Sequence, residues 1–365
     1  MCKIWTYASS RHIVEFPIII VNTLSRRLPV KSVVIEHESF THSWPFVADR
    51  FTELWGSGGE VEHIKTGLDD KRSLGEILAD RRGVDRIVSL GLPLTAEFVR
   101  SQSEIKEIGI NRAPDEELHQ AADESGVHLY YHRSENFWGE SVAECGLALT
   151  LCGLRRIPQL HREMITSHDP WKYKFRTGAN GVERAGQFSD DPRFVNGTIA
   201  GKRVRIVGIG NIGSRYASVV DALGADVAAW DPVASDPCFH RAGARKIHHL
   251  EELVGDADIF VPMMPLLDAT RGIVTGEHIG LLPKGALIVL VTRALICDVD
   301  AIRRRVESDE VALAADVHDT EPLSFDDALL GRHNVVHTPH IAGRTITANE
   351  RWAELLAAQF KKRQP

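Results

Sequence analysis

Between Asn334 and Thr345 the chain reads NVVHTPHIAGRT, which sets His337 and His340 three positions apart around Pro339. Such a pair could ligate a metal, or one ring could carry a proton. Pro339 bars the helix that would align the two rings, and no Cys or carboxylate completes a ligand set, so no metal is expected. Two further candidates also follow strand-like runs: Arg293 after ALIVLVT, and Glu321 within ADVHDTEPL. In an open parallel sheet the ligand crevice lies beyond the carboxyl ends of the strands. An Arg, a Glu and a His meeting there could bind a carboxylate and move a proton. Each has a plainer reading as well: a solvated arginine, a turn residue before Pro322, a structural histidine. His337 reads as structural.

A second constellation binds rather than reacts. VRIVGIGNIGSRYASVVDALGADVAAWDP carries Gly208, Gly210 and Gly213 in G-x-G-x-x-G spacing. The spacing alone is weak, but here it follows a β-branched strand, opens an amphipathic helix and precedes a second strand that ends in Asp231. Gly208 allows the tight turn, Gly210 the approach of a pyrophosphate, and Gly213 close helix–strand packing. The helix start offers N–H donors to the phosphates. Asp231 can accept from the adenosine ribose hydroxyls and would repel a 2′-phosphate. With no Arg or Lys in residues 232–236, NAD is expected rather than NADP.

The elements that must position these residues form an alternating pattern. From residue 203 onward, KRVRIVGI, DVAAW, DIFVPMM, ALIVLVT, VALAADV and NVVHTPH read as strands separated by helices. Apolar residues on both faces of such strands suit a parallel sheet covered by helices. An earlier unit over 31–135 has strand-like KSVVIEH, VDRIVSLG and SGVHLYY without a glycine loop of this type. Between the units lies SVAECGLALTLCGLRRIPQL, residues 141–160, whose apolar positions cover nearly every face of one helix. A helix apolar all round is buried all round, either in the core or against another subunit. Residues 177–200, rich in Gly, Asn and Asp, read as a long surface loop.

The bulk numbers exclude some partners. A chain of 365 residues suggests two domains. Lys+Arg 43 against Asp+Glu 50 leaves a net charge of −7 with no basic stripe, so nucleic acid is not expected. The early apolar run FPIII falls short of the roughly 20 residues a membrane helix needs. Five cysteines without CxxC or paired spacing fit a reducing cytoplasm.

VAECGLAL, VGIGNIG with WDP, MMPLLDATRGIV, VTRALICDVDAI, ADVHDTEPL and TPHIAGRT occur in the order typical of one family. On these motifs the sequence resembles the D-isomer-specific 2-hydroxyacid dehydrogenases, from about Val142 to Thr347. The resemblance implies an α/β protein of two Rossmann-like domains with doubly wound parallel sheets and an active site in the interdomain cleft. It implies a substrate domain over 31–140 completed by 343–365 and an NAD-binding domain over 141–342, while residues 1–30, before the first strand-like run, read as an N-terminal extension. It further implies a homodimer built on the helix near 141–164.

Residue by residue, the resemblance makes Arg293 the substrate-carboxylate arginine, His340 the acid/base and Glu321 its partner. At the cofactor it puts Gly208, Gly210, Asn211, Ile212, Gly213, Asp231, Pro265, Thr292, Asp316 and Gly343, with Asp316 equally able to tune the His–Glu pair or to serve a structural role. The implied activity is NAD(H)-dependent interconversion of a 2-oxo acid and a D-2-hydroxy acid. The alternative is an NAD-sensing interaction protein like the family's corepressors. Three departures stand out. Leu290 and Ala294 replace the usual Asn and Gly around the arginine. NRAPDEEL, residues 111–118, replaces a glycine-rich carboxylate loop, which leaves Arg112 either a contact for the substrate carboxylate or a second substrate anion, or a solvated surface arginine paired with Asp115, Glu116 or Glu117. Trp138 occupies a position that is usually small or polar.

Overall fold

The computed structural model describes residues 31–134, 136–171 and 190–362, together with the backbone of 176–177 and 183–184. The expected N-terminal extension over 1–30 lies outside these residues.

Two parallel sheets organise the chain. The first contains β1 (Lys31–His37), β2 (Glu60–Thr66), β3 (Val84–Leu90), β4 (Glu107–Ile110) and β5 (His128–Tyr130), in the order β2-β1-β3-β4-β5. After a short antiparallel pair, β6 (Arg176–Thr177) and β7 (Glu183–Arg184), the second sheet begins. Its strands are β8 (Arg203–Val207), β9 (Asp226–Trp230), β10 (Arg245–Lys246), β11 (Ile259–Pro262), β12 (Leu287–Leu290), β13 (Ala312–Ala315) and β14 (Val335–His337). Their order is β10-β9-β8-β11-β12-β13-β14. The order therefore reverses at β8, where a doubly wound sheet opens a ligand crevice. The first sheet reverses in the same way at β1. The α/β class with parallel sheets expected from the alternating pattern is the one observed, doubly wound as the resemblance implied.

The strands form where β-branched and apolar residues run without interruption. VVI in β1, RIV in β3 and LIVL in β12 are buried on both faces, which parallel strands under helices require. Over 177–200 a surface loop was expected. The β6–β7 pairing falls at its start, and residues 178–182 and 185–189 lie outside the described residues.

The stretch read as one helix over 141–160 is two. A first helix, Gly139–Arg155, ends at Arg156, whose φ of 53° is left-handed, and a second runs Ile157–Thr166. Pro158 is the cause: its ring clashes with the carbonyl four residues back and it has no N–H, so it is tolerated only in a first helical turn. The first helix buries Val142, Ala143, Gly146, Leu149, Thr150 and Leu154 while Glu144 and Ala148 are exposed; the second buries nothing.

The last helix, Ile346–Ala357, is capped by Thr345, which accepts from Ala348 N–H at 3.1 Å. Its Trp352, Ala353 and Leu356 pack into one cluster with Val34, Phe51 and Val88 of the first unit. The chain thus returns to the first sheet after completing the second.

Candidate active site

The glycine loop leaves β8 at the reversal of strand order. Gly208 has φ +97°, and a Cβ there would meet Met263 O at 3.1 Å and Met264 Cγ at 2.8 Å. At Gly213 a Cβ would lie 2.0 Å from Gly208 O, so any larger residue drives helix and strand apart. Gly210 differs: a Cβ would meet nothing within 4 Å and would project into open space. Gly210 caps the Asn211–Ala222 helix, whose first turn carries no acidic residue to compete with an anion. Asn211 and Ile212 open that turn, where N–H groups lack intrahelical acceptors. The loop therefore fits a pyrophosphate.

Asp231 ends the strand next to β8 and is 9% exposed. Its Oδ2 accepts from Ile209 N–H at 2.9 Å; its Oδ1 accepts from Val233 and Ala234 N–H at 3.0 Å each. A carboxylate has about four acceptor sites. Three are taken by the backbone, leaving one on Oδ2 for a ribose hydroxyl. Asp231 thus also builds the turn on which the adenosine end would rest. Pro265 is exposed beyond β11, in a turn pinned by Thr270, whose Oγ1 donates to Pro265 O at 2.5 Å and accepts from Leu267 N–H at 2.8 Å. Thr292 is buried under Pro262 O and Met264 O, at 3.4 and 3.5 Å.

Arg293, the glutamate and His340 stand at one edge of the sheet because β12, β13 and β14 are neighbours and parallel. Arg293 is exposed and precedes a 3₁₀ turn, Ala294–Ile296, that starts despite the missing Gly. One Nη donates to Thr292 O at 2.7 Å, and it forms no ion pair with a described residue.

His340 and Glu321 are brought into contact: Nδ1 and Oε2 are 2.7 Å apart. The other carboxylate oxygen accepts from His318 N–H at 2.9 Å. Burial pushes the Glu321 carboxyl up, but the bonds from His340 and from the His318 amide outweigh it and hold the group below its ordinary 4.5. With Nδ1 engaged, Nε2 is the ring atom left for a substrate. His340 has φ 55°, a left-handed conformation that costs a non-glycine residue roughly 1–3 kcal/mol and persists only where its surroundings over-determine it.

Asp316 supplies that constraint. It is fully buried at the end of β13, and its three contacts bracket His340: Thr338 Oγ1 at 2.5 Å, Ile341 N–H at 2.9 Å and Ala342 N–H at 2.8 Å. These bonds suit the structural role that Asp316 could also play. Burial lowers the pKa of half-buried His337. No group of three or more metal-ligating side chains occurs among the described residues.

Gly343 lies beneath Trp138, and a Cβ there would come 3.4 Å from the ring. Trp138 stacks on Trp44 with centroids 5.6 Å apart, so an aromatic wall from the first unit stands three residues past His340. Arg112 is exposed, and two of its three neighbouring acids have other partners. Asp115 caps its own helix and Glu117 meets Arg100 at 3.7 Å. Sequence reasoning passed over Thr270, Thr338 and His318, since a hydroxyl or ring that holds a loop has no spacing to announce it.

Residues 147–342 match the family described as D-isomer specific 2-hydroxyacid dehydrogenase, NAD binding domain. NAD is the cofactor of that domain, and the glycine loop and Asp231 suit it. Among curated relatives, the chain is similar to the D-3-phosphoglycerate dehydrogenase of Methanocaldococcus jannaschii, 28% identical over 307 residues, 83% of this chain and 53% of the relative. The enzyme of that name from Haemophilus influenzae is 27% identical over 275 residues, 74% of this chain and 61% of the relative. The match thus spans little more than half the length of these relatives. Two solved structures share the fold. The D-lactate dehydrogenase of Lactobacillus jensenii with NAD+ has a TM-score of 0.64 at 19% identity, covering 90% of this chain and 94% of its own. A D-isomer specific 2-hydroxyacid dehydrogenase from Lactobacillus delbrueckii ssp. bulgaricus, in its NAD-complexed form, has a TM-score of 0.63 at 20% identity, covering 90% and 95%.

Proposed function

The chain belongs to the D-isomer specific 2-hydroxyacid dehydrogenase family, and from that premise we propose that it interconverts a 2-oxo acid and a D-2-hydroxy acid. The observation that carries this reading is the 2.7 Å contact of His340 and Glu321 at the strand edge shared with Arg293. The cofactor, held by the glycine loop and Asp231, would supply a hydride as NADH for reduction or receive one as NAD+ in oxidation. Arg293 holds the substrate carboxylate through paired N–H donors, which orients the carbonyl carbon. His340, hydrogen-bonded through Nδ1 to Glu321 at 2.7 Å, gives its Nε2 proton to the carbonyl oxygen. In oxidation the neutral ring takes the hydroxyl proton back.

The reading includes a division of labour along the chain. Residues 31–140 with 343–365 form the substrate unit and 141–342 the cofactor unit, with the reaction in the cleft between them. The return of the Ile346–Ala357 helix to the first sheet supports this division. We also place a homodimer on the outer face of the Ile157–Thr166 helix, where Ile165 and the nearby Trp171 are 71% and 59% exposed.

The test is a panel of 2-oxo acids with NADH, followed at the nicotinamide absorbance. Turnover of at least one acid is expected, and abolished by His340→Ala. NAD(H) binding without turnover of any acid would favour a partner-binding role instead.

A further inference from the structure

His318 carries a ring to which the mechanism above gives no task. It lies between buried Asp316 and Glu321, just past the end of β13. Its main-chain N–H donates to Glu321 Oε1 at 2.9 Å, the carboxylate oxygen turned away from His340. Its ring reaches the opposite partner: Nε2 is 3.3 Å from the carbonyl oxygen of Thr338, two residues before His340. A carbonyl oxygen only accepts, so Nε2 carries the proton in this arrangement.

We propose that His318 is a positioning residue for the acid/base pair, bracing the glutamate with its amide and the His340 segment with its ring. This rests on reading His340 as the acid/base. The segment 338–342 is also held from the Asp316 side, through the Thr338 hydroxyl and the Ile341 and Ala342 amides, by Thr338 N–H on Ala315 O at 3.0 Å, and by Ser141, whose Oγ donates to Ala342 O at 2.5 Å. These attachments run to Ala315, Asp316 and Ser141; the His318 ring adds one from the turn that carries Glu321, beside the His340–Glu321 contact itself. A charge-assisted contact at 2.7 Å weakens steeply with misplacement, and a misplaced general acid loses rate faster than it loses substrate binding.

The charged groups around this brace are Glu321, Asp316, Asp319 and Asp327, with Arg303, His337 and His340. Arg303 already engages Asp327 at 2.7 Å and Asp319 at 3.8 Å. Those acids are thus partly neutralised, and Glu321 remains the carboxylate in contact with the His340 ring.

The experiment compares His318→Phe with His318→Gln. Phenylalanine keeps the main-chain amide and removes the ring donor; glutamine restores an N–H of similar reach that does not titrate. The first readout is the titration of the His340 ring by NMR in the free protein, its signal identified by its loss in His340→Ala. Phenylalanine should move the His340 midpoint from its wild-type value, because the ring's contact with Glu321 loosens. Glutamine should bring it back. The second readout is steady-state reduction of whichever 2-oxo acid the protein turns over. Phenylalanine should cut kcat about fivefold with KM for NADH unchanged, and glutamine should recover most of the loss. A wild-type midpoint and kcat in His318→Phe would overturn the proposal, as would equal losses in both variants at unchanged thermal stability. If the wild type reduces no 2-oxo acid, the enzymatic reading fails alone, because the NMR titration still decides the brace.

Discussion

Glu321→Gln is expected to separate the two directions of the reaction by pH. The carboxylate stands beside the His340 ring and favours its protonated form. Neutral glutamine removes that bias, so the ring loses its proton at lower pH. Reduction, which needs the imidazolium, should then fall off earlier as pH rises, while oxidation, which needs the neutral ring, should extend further into acid. Rate profiles in both directions check this, and coincident wild-type and variant profiles would sink the pairing. The same group bears on stability. Its folded pKa is held below the ordinary 4.5, so its contribution is full above that value and is lost as pH falls through the folded pKa. Asp231 invites a second substitution. Asp231→Ser removes the acceptor for a ribose hydroxyl and the repulsion of a 2′-phosphate, so NADH use should weaken and NADPH use improve. Because Asp231 also caps Ile209, Val233 and Ala234, the variant should lose Tm as well. A wild type that already prefers NADPH would defeat the assignment.

Elements meet at a few strong points, and one of them holds the end of the chain. Arg86 in β3 and Glu107 in β4 form a buried pair at 2.8 Å. Arg86 also donates to Lys361 O at 2.6 Å, and Glu107 accepts from Lys361 N–H at 3.0 Å. The rings of Trp55 and Phe360 lie about the guanidinium at 5.3 and 5.1 Å. The segment following the Ile346–Ala357 helix is thereby fastened to the first sheet. Arg86→Met leaves the glutamate buried without its cation and should destabilise by about 3–5 kcal/mol in denaturant unfolding. Adding Glu107→Leu should recover most of that loss; a single variant as stable as wild type would show the clasp to be idle. The break at Arg156 is also an event at this scale. Apolar periodicity runs through it, yet one proline ring suffices to start a new helix in a new direction.

At the scale of the whole molecule, the second of those helices buries none of its own residues and leaves Ile157, Met164 and Ile165 exposed. If a second copy covers this face, light scattering should give a dimer, and Ile165→Glu should give a folded monomer with NAD(H) binding retained. A monomeric wild type would remove the interface from the proposal. The sequence by itself determined the class of fold, since unbroken apolar strands alternating with helices admit little besides covered parallel sheets. It also determined the glycine loop, because steric demand is local: Gly208 and Gly213 lie five positions apart and a Cβ on either one collides. The catalytic candidates were legible as residues at strand ends. Only the tertiary structure decided what they touch. Glu321 and His340 are 19 positions apart and meet because β13 and β14 are neighbours. Asp316 turned inward to hold a left-handed histidine, and Trp138 closed over Gly343 from another part of the chain. Spacing reports what each residue type can do; which side chains meet, and at what distance, depends on strand order and loop path, and those are set by packing.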